Sequence, residues 1–228
     1  MTHPGGAGRQ EVTVVLASNN PGKVDELRRL LPEWVCILTA SDAGVTLPEE
    51  TGTTFAANAL LKARAAVQQT GHIALADDSG LEVDALGGEP GVRSARYAGE
   101  PTDDAANNAL LLERLRAVPS AERTARFRSA VAIVTPEGRE HVAEGTVEGV
   151  ILEQPRGSGG FGYDPLFQPA GSDRTMAELA TDEKNRISHR GRAFRAAAAW
   201  LLPILEAARR EGSDGEIARR HEEKTELS

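Results

Sequence analysis

Two acidic segments near the start of the chain have the chemistry of a magnesium site. Glu49-Glu50 lie in a polar stretch, and Asp77-Asp78 directly follow a short apolar run. Carboxylate oxygens are the ligands that Mg²⁺ prefers, usually together with retained waters and substrate phosphates. One carboxylate of such a site can also accept a proton from an attacking water. A capped turn is the alternative interpretation of residues 77–80, and these residues alone leave both open.

A turn between a predicted strand and a predicted helix has the features of a phosphate-binding site. Orphan N–H groups and the dipole at a helix N-terminus attract anions, a glycine lets a phosphate approach the backbone, and a lysine adds positive charge. An ordinary capped turn is the alternative, and it is the commoner case for one such feature. The turn consists of Ser18, Asn19, Asn20, Pro21, Gly22 and Lys23.

A Gly-rich loop at residues 157–162 carries aromatic side chains that a flat ring could contact. Its glycines formally satisfy the G-x-G-x-x-G spacing of dinucleotide-binding folds. That interpretation requires a helix directly after the loop, whereas Tyr163 and Asp164 lead into a proline here. We therefore favour a loop that presents Phe161 and Tyr163 to a nucleobase, with Gly162 between them. A structural turn with buried aromatics is the alternative.

A basic segment, residues 184–190, contains Lys184, His189 and Arg190 within an acidic chain. Such donors can contact an anion or the edge of a base, although a solvated loop at a helix start is the commoner explanation. Together with the turn, the carboxylates and the aromatic loop, they complete the parts that a nucleoside triphosphate hydrolase needs. The Walker A pattern is not present in the sequence, so a P-loop mechanism is unsupported.

The composition restricts the partners that we expect. Asp and Glu number 34 against 26 Lys and Arg, a formal net charge of -8, whereas affinity for long nucleic acid requires an excess of Lys and Arg. No apolar run reaches the roughly 20 residues that span a bilayer. The single cysteine, Cys36, excludes an internal disulfide. We expect a cytoplasmic protein that binds neither a nucleic acid polymer nor a membrane, since the start of the chain does not resemble a signal peptide.

Strands and helices alternate along the chain, which predicts an α/β fold with a mixed sheet flanked by helices. We expect Thr102 to cap a helix, and residues 184–192 to form a basic loop before a final Ala-rich helix. Apolar periodicity predicts strands at 12–17, 35–38, 73–76, 125–135 and 139–153, and helices at 21–31, 54–70, about 103–115 and about 193–210.

The chain resembles the Ham1/RdgB-like noncanonical purine NTP pyrophosphatases from about residue 12 to about residue 208. Six motifs in the right order carry this resemblance, and together they are far more specific than any one of them. They are SNNPGK (18–23), EETGTTF (49–55), ADDSGL (76–81), GVRSARYAG (91–99), GGFGYDPLF (159–167) and EKNRISHRG (183–191).

The resemblance implies hydrolysis of dITP, ITP and XTP to the monophosphate and pyrophosphate with Mg²⁺. It also implies a homodimer and two lobes around a central substrate cleft. Asp78 matches the proton acceptor and a metal ligand, Glu50 matches a further metal carboxylate, and Asp77 is added as a third metal candidate. The matching substrate contacts are residues 18–23, Asn58, Lys62, Ser79, Phe161, Gly162, Tyr163, Asp164, Lys184, His189 and Arg190.

These considerations predict one two-lobed domain at residues 11–210. A flexible leader at 1–10 and a disordered tail at 211–228 flank it, because neither segment has apolar periodicity. Two alternatives remain open. One is a Maf-like nucleotide pyrophosphatase of different base specificity, and the other is a nucleotide-binding sensor without turnover, which would not need the carboxylates.

Overall fold

A computed structural model describes residues 11–226 of the chain, and the side chains of 11–210. Six strands form one mixed sheet in the order β2-β1-β3-β4-β5-β6. β1 runs parallel to both of its neighbours, and the remaining pairs are antiparallel. The strands are β1 (Val12–Leu16), β2 (Val35–Thr39), β3 (Ile73–Val83), β4 (Thr124–Val134), β5 (Glu140–Ile151) and β6 (Phe167–Pro169).

Helices cover both faces of this sheet, as the sequence predicts. Alanines of α2 pack on β1, β3 and β4 from one side, whereas the apolar face of α5 packs on the same strands from the other side. The helices are α1 (Pro21–Arg28), α2 (Phe55–Thr70), α3 (Asp104–Arg114), α4 (Thr181–Ile187) and α5 (His189–Glu226), and short 3₁₀ turns occupy 84–86, 91–96, 120–122 and 176–178.

The apolar core is divided into two parts that share the long strands β3, β4 and β5. Two buried clusters lie where α1, α2 and α5 cover the sheet. A third cluster, which includes Leu81, Leu111, Phe127 and Phe167, lies near the far ends of the same strands, beneath α3. The molecule therefore has two lobes built on one continuous sheet, which agrees with the predicted two-lobed arrangement.

Local capping explains where the helices around the site begin. Asn20 caps α1, with Pro21 in the first turn, and Thr54 caps α2 by accepting a hydrogen bond from Ala57 N. The predicted cap Thr102 is wrong, because the neighbouring Asp103 accepts from Ala106 N at the start of α3. A carboxylate in that position also favours the positive end of the helix dipole.

Two further predictions differ from the structure. Residues 184–192 do not form a loop, because α4 and α5 occupy this region and are separated by Ser188, whose backbone is extended. The backbone of 211–226 continues α5, whereas the sequence predicts a disordered tail there; extending an existing helix needs no new nucleation. The predicted leader, residues 1–10, lies outside the described residues. Within the described part of the chain, no helix combines the length and apolarity needed to cross a membrane.

Candidate active site

The paired aspartates lie inside a long strand rather than after a short one. β3 continues to Val83, whereas β1 pairs with it only as far as Leu75. Ala17 N donates to Leu75 O at 2.7 Å, and the chain then leaves the sheet. β4 pairs with β3 from Ala74 onward and holds it extended. The aspartates therefore lie at the carboxyl end of the parallel part of the sheet, where α/β folds place ligand sites.

The strand directs Asp77 and Asp78 to opposite faces of the sheet, because successive side chains alternate along a strand. Asp77 lies on the face covered by α1 and α5, where Lys23 and Arg190 approach it. Asp78 lies on the face covered by α2, where Asn58 donates to it. Two neighbouring carboxylates therefore have separate environments.

Asp78 is the centre of a polar cluster that α2 builds. Asn58 Nδ2 donates to Asp78 Oδ2 at 3.0 Å, and Asn58 Oδ1 accepts from Gly52 N at 2.7 Å. Lys62 Nζ lies 2.7 Å from Glu50 Oε1 and 3.9 Å from Asp78 Oδ1. Asn58 and Lys62 are one helical turn apart on α2, so they face the same side and join the segment at Glu50 to the strand.

Asp78 is held closer to its neutral form than an exposed aspartate. Burial raises the pKa of its carboxyl, and the nearby Glu50 adds to this effect, whereas Lys62 and the hydrogen bond from Asn58 lower it in part. The pKa of the Asp78 carboxyl is therefore raised above its ordinary value. A carboxylate with a raised pKa is a better proton acceptor than one at its ordinary value.

Asp77 lies in the opposite environment, and its position differs from the prediction that it is a metal ligand. The side chain is 1% exposed, and its oxygens lie 2.7 Å from Lys23 Nζ and 3.9 Å from Arg190 Nε. Burial opposes ionisation, but the two cations outweigh it and lower the pKa of the Asp77 carboxyl. Since its oxygens face cations on the other side of the sheet from Asp78, Asp77 is the charge partner of Lys23 and Arg190.

Two of the three predicted carboxylates fit a divalent cation. Glu50 and Asp78 both face Lys62 Nζ, so their oxygens converge on one positive charge. Two carboxylates suit Mg²⁺, which is usually bound by one or two of them together with waters and phosphates. Among residues 11–210, where side chains are described, no three acidic, histidine or cysteine side chains converge as a metal cluster.

The predicted phosphate turn is ordered by its own side chains. Asn20 Oδ1 accepts from Gly22 N at 2.9 Å, and Ser18 Oγ accepts from Asn20 N at 3.2 Å. Asn19 Oδ1 accepts both the backbone and the hydroxyl hydrogen bond of Ser41, at 2.9 Å each, which fixes the turn against the segment after β2. The turn is solvent-exposed and only its lysine reaches inward, toward Asp77.

A cavity of about 140 Å³ next to Ser79 has the lining of a base pocket. Its walls include Phe127, Phe161 and His189. Phe161 is 58% exposed, with Lys184 Nζ 4.6 Å and Arg190 Cζ 5.3 Å from its ring centroid. An exposed aromatic face flanked by two cations can accept a flat, electron-rich ring.

A second cavity shares Phe161, Lys184, His189 and Arg190 with this pocket and is also lined by Gly22 of the predicted phosphate turn. It has a volume of about 360 Å³ and runs from Gly22 past Glu26 to Phe161, Lys184 and Arg190. The turn before α1 and the aromatic loop, which are the two predicted ends of a nucleotide site, therefore border the same cavity.

Tyr163 lines the same pocket as Phe161, but unlike Phe161 it is buried. It is 4% exposed, and its hydroxyl donates to Ser94 O at 2.8 Å. Asp164 is also buried, accepts from Phe161 N at 2.8 Å and forms an ion pair with Lys184. Tyr163 and Asp164 therefore anchor the loop and also line the pocket, whereas Phe161 is the exposed ring of the loop and Gly162 lies beside it.

His189 supplies a neutral polar group to the pocket. Its ring stacks on Phe127 with 4.8 Å between centroids, and burial together with Arg190 and Lys184 lowers its pKa to about 3. Nδ1 of His189 and Nε of Arg190 are both buried without a hydrogen-bond partner. Buried polar groups are normally hydrogen-bonded, so unpaired ones at a pocket wall indicate where a ligand would bind.

Sequence reasoning missed three polar residues of α3 that contact the walls of this pocket. Asp104 and Asn108 bind the backbone of Gly162, and Asn107 binds the segment at 95–98. Their signal in the sequence is the spacing of four between Asp104 and Asn108, which places both on one face of a helix.

The geometry defines an α/β protein with a carboxylate–lysine cluster around Asp78, and the next residue, Ser79, lies in the wall of an aromatic pocket. This combination is typical of nucleotide-binding folds. The model of the Ham1 family matches residues 14–200. The chain belongs to the Ham1 family.

Named relatives agree with this assignment. The dITP/XTP pyrophosphatase of Desulforamulus reducens is 57% identical over 186 residues, covering 81% of this chain and 92% of that protein. The HAM1 protein from Coxiella burnetii is a structural neighbour at 42% identity and a TM-score of 0.80, covering 84% of this chain and 99% of the other. The nucleoside-triphosphatase / dITP/XTP pyrophosphatase from Mycobacterium abscessus is 50% identical with a TM-score of 0.71, covering 83% and 99%.

Proposed function

We propose that this protein hydrolyses the noncanonical purine triphosphates dITP, ITP and XTP to the nucleoside monophosphate and pyrophosphate. The observation that carries the proposal is that two adjoining cavities share Phe161, Lys184, His189 and Arg190, and that one is lined by Gly22 of the turn and the other by Ser79, the residue after Asp78. Relatives named dITP/XTP pyrophosphatase at 50–57% identity support the choice of substrate.

Asp78 acts as the general base in this proposal. It takes a proton from a water whose oxygen forms a bond to the α-phosphorus, while the bond from that phosphorus to the bridging oxygen of pyrophosphate breaks. The raised pKa of its carboxyl matches this task. Asn58 orients Asp78 Oδ2, so the other oxygen remains directed toward the side of Lys62.

Glu50 and Asp78 would hold Mg²⁺. When bound, the ion supplies charge neutralisation to the phosphates and lowers the pKa of a coordinated water. Lys62 bridges the same two carboxylates and can move to phosphate oxygens when they enter. Lys23 and Lys184 add positive charge at the turn and at the base end of the cleft, which matters most as negative charge develops in the transition state.

The pocket selects the base by hydrogen bonds. A 6-oxo purine presents an acceptor where adenine presents an amino donor. Arg190 Nε is buried 3.9 Å from Asp77 Oδ2 and makes no hydrogen bond, and neutral His189 offers one donor and one acceptor nitrogen. A pocket donor facing the adenine amino group would leave two donors unpaired, and sites of this kind discriminate by several orders of magnitude.

A product assay tests this proposal against the two alternatives. The purified chain is incubated with Mg²⁺ and dITP, ITP, XTP, ATP, GTP or dUTP, and pyrophosphate and orthophosphate are measured separately. We expect pyrophosphate from dITP, ITP and XTP, and little from the other three. Preferred turnover of pyrimidine substrates would support the Maf-like alternative, and tight binding of ITP without product would support the sensor.

Two further properties that the resemblance implies complete the proposal. We propose that the enzyme is a homodimer and acts in the cytoplasm. Light scattering of the purified chain at micromolar concentration tests the oligomeric state, and a mass of one chain would refute the dimer. Activity lost on chelation and restored by Mg²⁺, but not by Ca²⁺, tests the proposed cofactor.

A further inference from the structure

We propose that the N-terminal turns of α3 position the base-binding loop, with Asp104 and Asn108 as positioning residues that hold Gly162. This inference rests on the proposed function, because it assumes that Phe161 contacts the base of the substrate. It adds an element outside the six sequence motifs of the family resemblance to the machinery that selects the base.

Two side chains on one helix face form hydrogen bonds with the peptide groups on both sides of Gly162. Asp104 Oδ2 accepts from Gly162 N at 2.6 Å, and Asn108 Nδ2 donates to Gly162 O at 2.9 Å. The two side chains are one helical turn apart, so a rigid helix sets the distance between acceptor and donor. We call this pair the α3 clamp.

The clamp acts on the part of the loop that needs external support. Phe161 is largely exposed, and its ring contacts cations rather than a packed core. Gly162 has φ +58, and Gly160 has φ +75. Glycines in such conformations have many alternatives in a free loop, so holding them costs conformational entropy. Asp164 holds Phe161 N from the inside, and the clamp holds the next residue from the outside.

The same turns of α3 also hold a second segment of the pocket lining. Asn107 is 2% exposed, accepts from Ala98 N at 2.7 Å and donates to Ala95 O at 3.0 Å. Ser94 and Ala95 line the base pocket together with Gly162. Since one helix end binds two segments of the lining, it holds them in place relative to each other before a base binds. Preorganisation of this kind reduces the conformational entropy that would otherwise be lost when the substrate binds.

The chain offers a matched control for the stability of α3. Asp103 caps the helix by accepting from Ala106 N at 3.0 Å, so its side chain binds its own helix rather than the loop. Asp103→Ala therefore weakens the helix start without releasing Gly162. Asp104→Ala and Asn108→Ala each remove one arm of the clamp. Asp104→Asn keeps an oxygen that can accept from Gly162 N, whereas Asn108→Asp places a carboxylate against Gly162 O.

Steady-state kinetics with dITP and GTP test the inference. For Asp104→Ala and Asn108→Asp we expect KM for dITP to rise about 10-fold, a factor that corresponds to ~1.4 kcal/mol, with kcat changed less than about 3-fold. The dITP-to-GTP ratio of kcat/KM should fall, because a wider pocket rejects the 2-amino group less. Asp104→Asn should retain most of the wild-type KM, and inhibition by inorganic tripolyphosphate, which has no base, should be unchanged throughout.

Several outcomes would contradict the proposal that Asp104 and Asn108 position the loop. One is a KM for dITP in Asp104→Ala and Asn108→Asp equal to that of wild type. Others are the same rise in Asp103→Ala, or an equal loss of tripolyphosphate binding. Hydrogen exchange of the peptide spanning 157–165 provides a readout that does not need turnover: exchange should accelerate in the clamp variants and not in Asp103→Ala. If wild type releases no pyrophosphate from dITP, the proposed function fails, while this exchange difference still decides whether the clamp exists.

Discussion

Asp77 and Asp78 are adjacent in β3, yet they face opposite sides of the sheet. The pKa of the Asp77 carboxyl is lowered, whereas the pKa of the Asp78 carboxyl is raised. Lys23 and Arg190 keep Asp77 ionised despite its burial. Burial and the nearby Glu50 raise the pKa of Asp78, and Lys62 together with Asn58 offsets only part of this increase. Neighbouring carboxylates with divergent pKa values commonly divide their roles, and here Asp78 is the proton acceptor and Asp77 is a fixed charge.

Removing the proton acceptor should abolish most of the turnover. Asp78→Asn keeps the size of the side chain and should lower kcat for dITP by about 10²–10⁴-fold, the range that general base catalysis contributes. Pyrophosphate release at saturating Mg²⁺ measures this. Glu82→Gln is the control, since Glu82 lies further along β3 on the same face and pairs with surface arginines. Wild-type turnover in Asp78→Asn would refute the assignment.

The hydrogen bond from Asn58 should be visible in the pH profile. A general base must be deprotonated, so kcat/KM rises with pH through the pKa of Asp78. The bond from Asn58 lowers that pKa, so Asn58→Ala should move the acid limb of the profile to higher pH. Gln69→Ala is the control on the same helix, because its side chain bonds Thr46 and Ala65 instead. An unshifted limb in Asn58→Ala would contradict the proposed orientation of Asp78.

The buried charge of Asp77 should contribute to folding stability in a defined pH range. Its folded pKa lies below the unfolded value of about 3.9, so the contribution is present above pH 4 and is lost as the pH falls through the folded pKa. Asp77→Asn should therefore lower the free energy of unfolding at neutral pH by roughly 3 kcal/mol or more, because Lys23 and Arg190 lose their buried partner.

Urea unfolding at neutral pH and near pH 3 tests this prediction. The difference between wild type and Asp77→Asn should shrink at the lower pH. Asp84→Asn is the control: its ion pair with Arg126 is exposed, and such pairs contribute about 1 kcal/mol or less. A difference that is independent of pH would indicate a packing defect rather than the loss of a charge.

The sequence predicts the framework of the site well because that framework depends on local patterns. The turn at 18–23 and the strand–helix alternation follow from propensity and periodicity, and the structure contains both. Asn58 and Lys62 come from the family resemblance, and both contact the carboxylate cluster around Asp78.

The features of the site that the sequence does not predict depend on contacts between residues that are far apart in the chain. β4 extends β3 through Asp77 and Asp78, and no pattern within β3 reveals that partner. The extension makes the two carboxylates alternate across the sheet, which removes Asp77 from the metal site. Likewise the burial of Tyr163 depends on Ser94, which lies 69 residues away in the chain.

Phe161 should contribute to binding of the base but not of the phosphates. Phe161→Ala should raise KM for dITP by about 10- to 100-fold, since stacking of a base on an aromatic side chain is worth about 1–3 kcal/mol. Phe161→Trp should stay near wild type because it keeps a larger aromatic face. Isothermal titration with tripolyphosphate checks the phosphate end, where both variants should match wild type. A loss of tripolyphosphate binding would contradict a role confined to the base.

His189 should contribute to the choice between inosine and adenine bases. The buried imidazole is neutral, because desolvation and the cations Arg190 and Lys184 lower its pKa to about 3, and its Nδ1 has no protein partner. His189→Ala removes that hydrogen-bonding edge and should lower the ITP-to-ATP ratio of kcat/KM by at least about 10-fold, since unpaired polar groups against the wrong base carry much of such discrimination. His141→Ala is the control, because His141 stacks on Trp200 outside the cleft. An unchanged ratio in His189→Ala would assign the selection of the base to Arg190 and the backbone of the loop instead.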